Sequence, residues 1–468
     1  MPLPVSRFLL SMLLLVASVG GQSCRRMVPA DYEPPADRIG WVVDEMNELM
    51  MHDVTNPPLA ARFFAYALLA GNEVLAQTDS TCPALAGQLH VPLTVPRPAT
   101  PGYSPRVAAL LAMLQTAGKL QPSGSELKAR EQELLDDCRH RGMPAEVLAA
   151  SQQVAQQVAQ AVLAYAKQDG YYRISDRPRY SPTEGTGYWY PTPPGYFAAV
   201  EPYFSTIRPF FLDSAGQYAP APPLAFAPTK GSGFYQLMDS VRQVGNTLTT
   251  EQRQIASFWD CNPFAMQDQG HLQVGLKKMS PGAHWMKIAG TACRQSRVSF
   301  GRAMQVHTVL ALTLTDAFIC CWKEKYRSNR IRPETAIRRY LDPQWKPMLQ
   351  TPPFPEYLSG HSVISTAAAG VLSHYFGPAY AYTDDTEKEF GLKPRRFTSF
   401  QQAAAEAAVS RLYGGIHFPD AVRQGQLQGH KVGQLVVRRL THSATGEYAQ
   451  SYQPTAVFPL TRLPKRNP

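Results

Sequence analysis

Three short segments near the C-terminal end concentrate cations, histidines and a hydroxyl group. They are residues 325–333 (KYRSNRIRP), 355–361 (PEYLSGH) and 410–417 (SRLYGGIH). Guanidinium and ammonium groups, a serine hydroxyl and free backbone N–H groups are the donors that hold a tetrahedral oxyanion. Taken together, the segments predict a site for phosphate or for its structural mimic, vanadate.

The first segment supplies two cations that are seven residues apart. Lys325 and Arg332 are separated by close to two turns of a helix, so they are predicted to project from one helix face. Pro333 disfavours helix at the preceding residue and is expected to end the element. Since a helix C-terminus attracts cations in any case, this segment could also serve simple dipole compensation.

The second segment places Ser359, Gly360 and His361 at the start of an apolar, buried-looking helix. Free N–H groups at a helix N-terminus bind anions, and Gly360 would let an anion approach them closely. The alternative is that Ser359 is only an N-cap. His361, in the first turn, is a candidate general acid or base.

The third segment pairs a guanidinium with a histidine across a helix break. Arg411 can donate a bidentate fork to an oxyanion. The Gly414-Gly415 pair is expected to end a helix and redirect His417. Asp420, three residues later, could accept a hydrogen bond from the His417 ring and raise its basicity.

In order and spacing, the segments resemble the signature of the type 2 phosphatidic acid phosphatase and vanadium-dependent haloperoxidase superfamily: KxxxxxxRP, PxxxSGH and SRxxxxxH. The resemblance covers roughly residues 316–429. It implies that His417 is the axial group, either the ligand to vanadium or a nucleophile that forms phosphohistidine, and that His361 is the acid–base residue. The residues that it implies around the anion are Lys325, Arg332, Ser359, Gly360 and Arg411.

Two aromatic residues favour the haloperoxidase side of the superfamily. Trp322 stands one turn before Lys325, and Phe354 stands five residues before Ser359; by resemblance, such aromatics border a halide site. We therefore expect a vanadate-dependent peroxidase that oxidises halide with hydrogen peroxide. The alternative is an exported acid phosphatase that hydrolyses a phosphomonoester through phosphohistidine and needs no cofactor.

Composition and the N-terminus narrow the setting. The 468-residue chain is 44% hydrophobic and carries a net charge of +10, but it has no basic run of five or more, so nucleic-acid binding is not expected. Arg7 and the apolar run 8–19 predict a signal peptide over residues 1–23. Cys24 is a candidate for lipidation. We expect an exported protein: periplasmic, secreted, or a cell-surface lipoprotein attached to the membrane only through Cys24.

The remaining cysteines and one histidine are given structural interpretations. Six cysteines remain after Cys24, too few for a fold of this length to depend on disulfides, and neither a CxxC pair nor a zinc-type spacing occurs. Adjacent Cys320-Cys321 are predicted to fill the core. His284, after Pro281-Gly282, is interpreted as a turn residue that caps a long helix, although it could line the mouth of the site.

The apolar periodicity predicts an all-α protein, with two packed helical bundles of which the C-terminal one carries the chemistry. The predicted divisions are residues 35–232, which end in a Pro- and aromatic-rich loop region from 171, and a catalytic domain at 233–445. The loop could wall a substrate channel or cover the core. The predicted helices are 37–52, 58–76, 105–117, 125–139, 145–168, 233–244, 250–259, 284–326, 361–376, 399–413 and 419–441.

Overall fold

A computed structural model describes residues 32–268 and 273–443 of the chain. The predicted signal peptide and Cys24 lie outside the described residues. The helices are α1 Asp37–His52, α2 Pro57–Leu75, α3 Pro105–Leu120, α4 Leu127–His140, α5 Ala145–Lys167, α6 Gly233–Asn246, α7 Thr250–Phe258, α8 Pro281–Gln295, α9 Phe300–Ser328, α10 Pro333–Tyr340, α11 Gly360–Phe376, α12 Phe400–Tyr413 and α13 Pro419–Ser443.

The all-α prediction is confirmed. Strands occur in the described residues only as two antiparallel ribbons, β1 Met266–Asp268 with β2 Gln273–Gly275, and β3 Tyr382–Asp384 with β4 Arg395–Phe397. The hydrophobic core extends from α1 to α13. The domain division after residue 232 stays a prediction.

The single long helix predicted at 284–326 is wrong. The chain forms α8 and α9 there, because Arg297 takes a left-handed conformation (φ 48°) and Ser299 caps the new helix by accepting the N–H of Arg302. Helix α10 was not predicted. It begins at Pro333, whose fixed φ suits the first helical position.

Helix α9 is the central helix of the fold. It packs against α2, α8, α11 and α13. Of the described helices, it is the one whose length and apolar composition would suffice to cross a membrane, but its whole apolar stretch is buried inside the protein. This is the environment of a core helix, and Lys325, near its C-terminal end, is fully buried.

Helices α11 and α13 pack backbone against backbone through a glycine row on α13. A Cβ atom at Gly429 would lie 2.2 Å from the carbonyl oxygen of Val363, and one at Gly425 would lie 2.9 Å from that of Ser359. The glycines recur every fourth residue and so share one face of α13. This close packing fixes the N-terminal end of α11, where the second sequence segment lies.

The Pro- and aromatic-rich region at 171–232 covers the core and also touches the candidate site. Asp316 on α9 accepts hydrogen bonds from three consecutive backbone N–H groups of this region, those of Phe210, Phe211 and Leu212, at 2.7, 2.7 and 3.0 Å. The carbonyl of Val200 accepts from the Trp322 indole at 3.1 Å. The region thus covers the core, while its role as the wall of a substrate channel stays a prediction.

All six cysteines of the described residues are buried thiols without a disulfide. Cys320 and Cys321 are fully buried on α9, in agreement with the predicted core-filling role. The fold is thus held by packing and buried hydrogen bonds.

Replacing Asp316 by Asn tests how the 171–232 region is anchored. Burial raises the pKa of this carboxyl to about 6, so at neutral pH it is ionised and can accept all three N–H groups. In an asparagine, the NH₂ group would replace one of the two accepting oxygens and would face at least one of these backbone N–H groups, donor against donor. We expect Asp316→Asn to lower the free energy of unfolding by about 1–3 kcal/mol in urea titrations. Asp136→Asn on α4, where the side chain is only partly buried, should change it by less than about 0.5 kcal/mol; equal effects would contradict this account.

Candidate anion-binding active site

A tight turn, rather than one helix face, brings the two cations of the first segment together. Helix α9 ends at Ser328, Asn329 takes a left-handed conformation (φ 49°), and Arg332 lies in extended backbone just before α10. The prediction that Lys325 and Arg332 project from the same face of one helix is therefore wrong. Both side chains are fully buried, with 0% of their surface exposed.

Lys325 directs its ammonium group at the loop that precedes α11. Its Nζ donates to the carbonyl oxygens of Pro355, Glu356 and Leu358 at 3.0, 3.2 and 2.5 Å. Burial lowers the pKa of Lys325 to about 7, and the nearby Arg332 adds to this effect. Three carbonyl acceptors require the three protons of an ammonium group, so Lys325 is charged in this arrangement. It therefore positions the loop and adds positive charge to the site, but it has no donor to spare.

Arg332 retains unused hydrogen-bonding capacity. Its Nε donates to the carbonyl of Phe354 at 2.9 Å, and its Nη1 donates to that of Ile416 at 2.9 Å. Nη1 also lies 3.2 Å from His417 Nε2, while the buried Nη2 has no partner among the described residues. Burial lowers the pKa of Arg332 to about 10, so it is a cation at neutral pH.

Glu356 orients His417. His417 Nδ1 lies 2.9 Å from Glu356 Oε1, which also accepts the backbone N–H of Phe418 at 2.9 Å. Asp420, the partner expected from the sequence, instead accepts hydrogen bonds from Nη1 and Nη2 of Arg330, at 2.6 and 2.8 Å. The prediction for Asp420 is wrong because Asp420 pairs with Arg330, which the sequence interpretation did not use, and Glu356 is the partner of His417 Nδ1.

The environment of His417 leaves its Nε2 unprotonated and facing Arg332. Since Nδ1 donates to a carboxylate, the neutral ring carries its lone pair on Nε2. Burial, and then the cations Arg332 and Lys325, lower the pKa of His417 well below its usual value. Helix α12 ends at Tyr413 and Gly415 has a positive φ of 74°, so the predicted glycine break and redirection of His417 are confirmed.

Ser359 and Gly360 form the N-terminal end of α11. Ser359 is the N-cap: its Oγ accepts the N–H of Ser362 at 3.3 Å and the Ser362 hydroxyl at 2.7 Å, so its own O–H is available to donate. A Cβ atom at Gly360 would make only an ordinary contact, 3.9 Å from the Trp322 ring. Protein packing does not require glycine there, which is consistent with room for a ligand.

His361 and Arg411 converge on one carbonyl group, that of Trp259. Arg411 Nη2 donates to the Trp259 oxygen at 2.6 Å, and the His361 ring bonds to the same residue's backbone. His361 Nε2 is buried without a partner, so Nδ1 is the donor. Burial lowers the pKa of both side chains, for His361 well below its usual value with Arg411 as a further cause.

Two buried aromatic rings lie beside the cations of the site. Trp322 and Phe354 lie 5.0 Å apart between ring centroids, and the Phe354 ring is flanked by Lys325 at 4.9 Å and by Arg332 at 5.0 Å. The sequence-predicted aromatic pair is thus adjacent to the cations. That this pair borders a halide site stays a prediction.

The sequence interpretation missed Glu356 and Trp259. Glu356 lies inside the second segment, so its position could have been noticed, but nothing in the spacing shows that it faces His417. Trp259 acts through its backbone carbonyl, and a carbonyl leaves no residue-type signal. Both depend on tertiary contacts.

The charge balance of the site fits a bound anion. Lys325, Arg332 and Arg411 are buried, and none of the three forms an ion pair within the described residues. An uncompensated buried charge costs several kcal/mol, and an anion beside it offsets that cost. Two buried atoms, Nη2 of Arg332 and Nε2 of His361, have no partner in the described residues. A bound anion, or a substrate beside it, can form hydrogen bonds with them.

Comparisons with known proteins place this geometry in a family. Residues 305–446 match the VCPO second helical-bundle domain. The crystal structure of the first bacterial vanadium-dependent iodoperoxidase is 39% identical, with a TM-score of 0.81 over 88% of this chain and 97% of that one. The chain belongs to the vanadium-dependent haloperoxidase superfamily. It is accordingly an enzyme of the haloperoxidase type.

Two more distant structures agree in fold. The apo-type bacterial vanadium-dependent chloroperoxidase is 16% identical, with a TM-score of 0.62 over 84% of this chain and 96% of that one. The holo-type bacterial vanadium-dependent chloroperoxidase is also 16% identical, with a TM-score of 0.60 over 90% and 97%. No curated protein sequence matches the chain.

The superfamily implies a vanadate cofactor, and the residues present fit it. Vanadate needs one coordinating nitrogen with a free lone pair and several cationic or N–H donors for its oxygens. His417 Nε2 carries a lone pair that accepts from Arg332 Nη1 at 3.2 Å in this structure, a contact that vanadate would replace, and Arg332, Arg411 and the start of α11 are such donors. The shielding of these groups from water strengthens their attraction for an anion.

Proposed function

We propose that this haloperoxidase superfamily member oxidises halide with hydrogen peroxide at a vanadate held by His417. The observation that carries the proposal is the set of three buried, unpaired cations around an imidazole whose Nε2 faces them. The overall reaction consumes halide, hydrogen peroxide and one proton, and releases hypohalous acid and water. Bound vanadate would supply Lewis-acid activation of the peroxide, without a necessary change in oxidation state.

The chain's own residues divide the remaining work. Arg332 and Arg411 donate to the oxygens of the anion, with the Ser359 hydroxyl and the N–H groups at Gly360 on the other side. Lys325 contributes positive charge and holds the loop that carries these groups. Together they offset charge in a pocket shielded from water, where such preorganised donors count most.

His361 handles the proton. Its depressed pKa keeps the ring neutral at physiological pH, and the buried Nε2 has no partner within the protein. This atom can therefore accept a proton from hydrogen peroxide and later return it to the leaving oxygen as water forms.

Trp322 and Phe354 are the proposed border of the halide path. Their apolar faces disfavour water, and the cations next to Phe354 attract an anion such as halide. Because the most similar of the three compared structures is that of an iodoperoxidase, iodide is the first halide to test.

A phosphatase remains the second candidate, because His417 Nε2 inside the same cation set could attack a phosphomonoester.

For the cellular location, we propose export directed by the predicted signal peptide, with Cys24 as a candidate site of lipid attachment.

An assay of both reactions on one preparation tests the proposal. With vanadate and hydrogen peroxide, we expect iodide-dependent halogenation of a phenol dye, with bromide and chloride compared in parallel. His417→Ala should lose activity by at least about 100-fold, because the coordinating nitrogen is gone, whereas the exposed His140→Ala should retain it. Vanadate-inhibited phosphate release without halogenation would overturn the peroxidase proposal in favour of the phosphatase.

The carboxylate behind His417 gives a second prediction. Glu356→Gln removes the charge that fixes the ring tautomer, so vanadate affinity should fall about 10–100-fold in calorimetric titrations. The control is Glu73→Gln on α2, a second buried glutamate; its Oε1 accepts two backbone N–H groups, at 2.8 and 3.2 Å, where that of Glu356 accepts one. Equal vanadate affinity for wild type and Glu356→Gln would exclude this role.

A further inference from the structure

A second group of titratable side chains lies beside the active site, where the proposed reaction does not use it. Cys261, His284 and Glu387 come from three separate parts of the chain, and each offers one ligand atom within 4.8 Å of the other two. All three are buried. His284 lies in the first turn of α8, whose N-cap is Ser280, and has 0% exposure, so its interpretation as a turn residue that caps a long helix is wrong.

The three ligand atoms form a compact triangle. His284 Nδ1 lies 3.3 Å from Cys261 Sγ and 3.2 Å from Glu387 Oε1, and the sulfur lies 3.8 Å from the same oxygen. Consider a zinc ion about 2.3 Å from the sulfur and about 2.0–2.1 Å from the nitrogen and the oxygen. By the law of cosines, the angles at zinc would be about 98° for sulfur and nitrogen, about 124° for sulfur and oxygen, and about 104° for nitrogen and oxygen. These angles scatter around the tetrahedral value.

The outer contacts are those of a metal-bound histidine. The far ring nitrogen, His284 Nε2, lies 2.8 Å from Asp384 Oδ2 and 2.7 Å from the Thr386 hydroxyl. A carboxylate at this nitrogen fixes the tautomer that leaves Nδ1 free to bind a metal. The arrangement therefore contains ligands, geometry and an orienting partner.

We propose that Cys261, His284 and Glu387 bind a zinc ion, with a water molecule at the fourth tetrahedral position. A thiolate, an imidazole and a carboxylate together suit zinc, whereas calcium and magnesium prefer oxygen ligands alone. Burial raises the pKa of the Cys261 thiol, and the Asp384 carboxylate, against the effect of burial, raises the pKa of His284 well above its usual value. Zinc therefore has to displace a proton from each of these two residues, and two protons per zinc pass to solvent. A nucleophilic Cys–His–Asp triad is disfavoured because Cys261 is only 3% exposed and His284 is inaccessible.

The zinc would stiffen the wall of the active site. Cys261 is two residues from Trp259, whose indole stacks on the His284 ring with centroids 4.7 Å apart and an interplanar angle of 17°. The Trp259 carbonyl is the acceptor shared by Arg411 and His361. The metal would thus hold that carbonyl in place. The site stands on its own geometry and does not depend on the proposed halide oxidation.

Metal analysis of the full-length protein tests the proposal. After removal of metal with a chelator, titration with cobalt(II) should give a near-ultraviolet thiolate-to-cobalt band that saturates at one equivalent, and zinc should displace it. Elemental analysis of zinc-reconstituted protein should likewise give one bound zinc. Absence of both the band and bound zinc in folded wild-type protein would overturn the proposal.

Matched variants locate the ion. Cys261→Ser should lose the cobalt band, and Asp384→Asn should weaken zinc binding about 10–100-fold. Cys293→Ser replaces another buried thiol, on α8 and outside the triangle, and should leave both unchanged. Circular dichroism confirms folding of each variant. If Cys261→Ser folds and keeps the band, the zinc is bound elsewhere and this assignment is wrong.

Discussion

Positive charge buried without a counter-ion is the constraint on which the site depends. Lys325, Arg332 and Arg411 lie in a region shielded from water, and no carboxylate of the described residues pairs with them. Such an arrangement is unfavourable for the free protein and favours an anion that fits between the cations. Burial is the main cause that lowers the pKa of His361 and of His417, and these cations lower it further, so both site histidines are neutral. The cations thus contribute both to anion affinity and to the protonation state of the site.

The rest of the fold keeps these charges in place. The backbone contact between α11 and α13 sets the N-terminal end of α11, and Lys325 holds the loop before it through three carbonyl groups. Glu356 reaches across that loop to orient His417. The 171–232 region is tied to α9 through Asp316 and to Trp322 through the carbonyl of Val200. Each anchor is buried, so the donors are positioned before any anion arrives.

The sequence predicted the elements better than the contacts between them. Apolar periodicity located α1 and α5 closely because each has a clear buried face, and the spacing of three motifs identified Lys325, Arg332 and Arg411, although not Arg330. It failed where one residue's backbone conformation decides the outcome: Arg297 divides the predicted long helix, and Asn329 turns Arg332 out of α9. It could not find the partnership of Glu356 with His417, nor that of Cys261 with His284 and Glu387. Those residues meet only through tertiary packing, and no local spacing encodes the meeting.

A crystal structure of the protein soaked with vanadate tests the central claim most directly. The account predicts density for one vanadate within bonding distance of His417 Nε2, with its oxygens in contact with Arg332, Arg411 and the N–H groups at Gly360. His417 Nδ1 should remain hydrogen-bonded to Glu356. Vanadate bound elsewhere, or an unliganded His417 Nε2 at saturating vanadate, would contradict it.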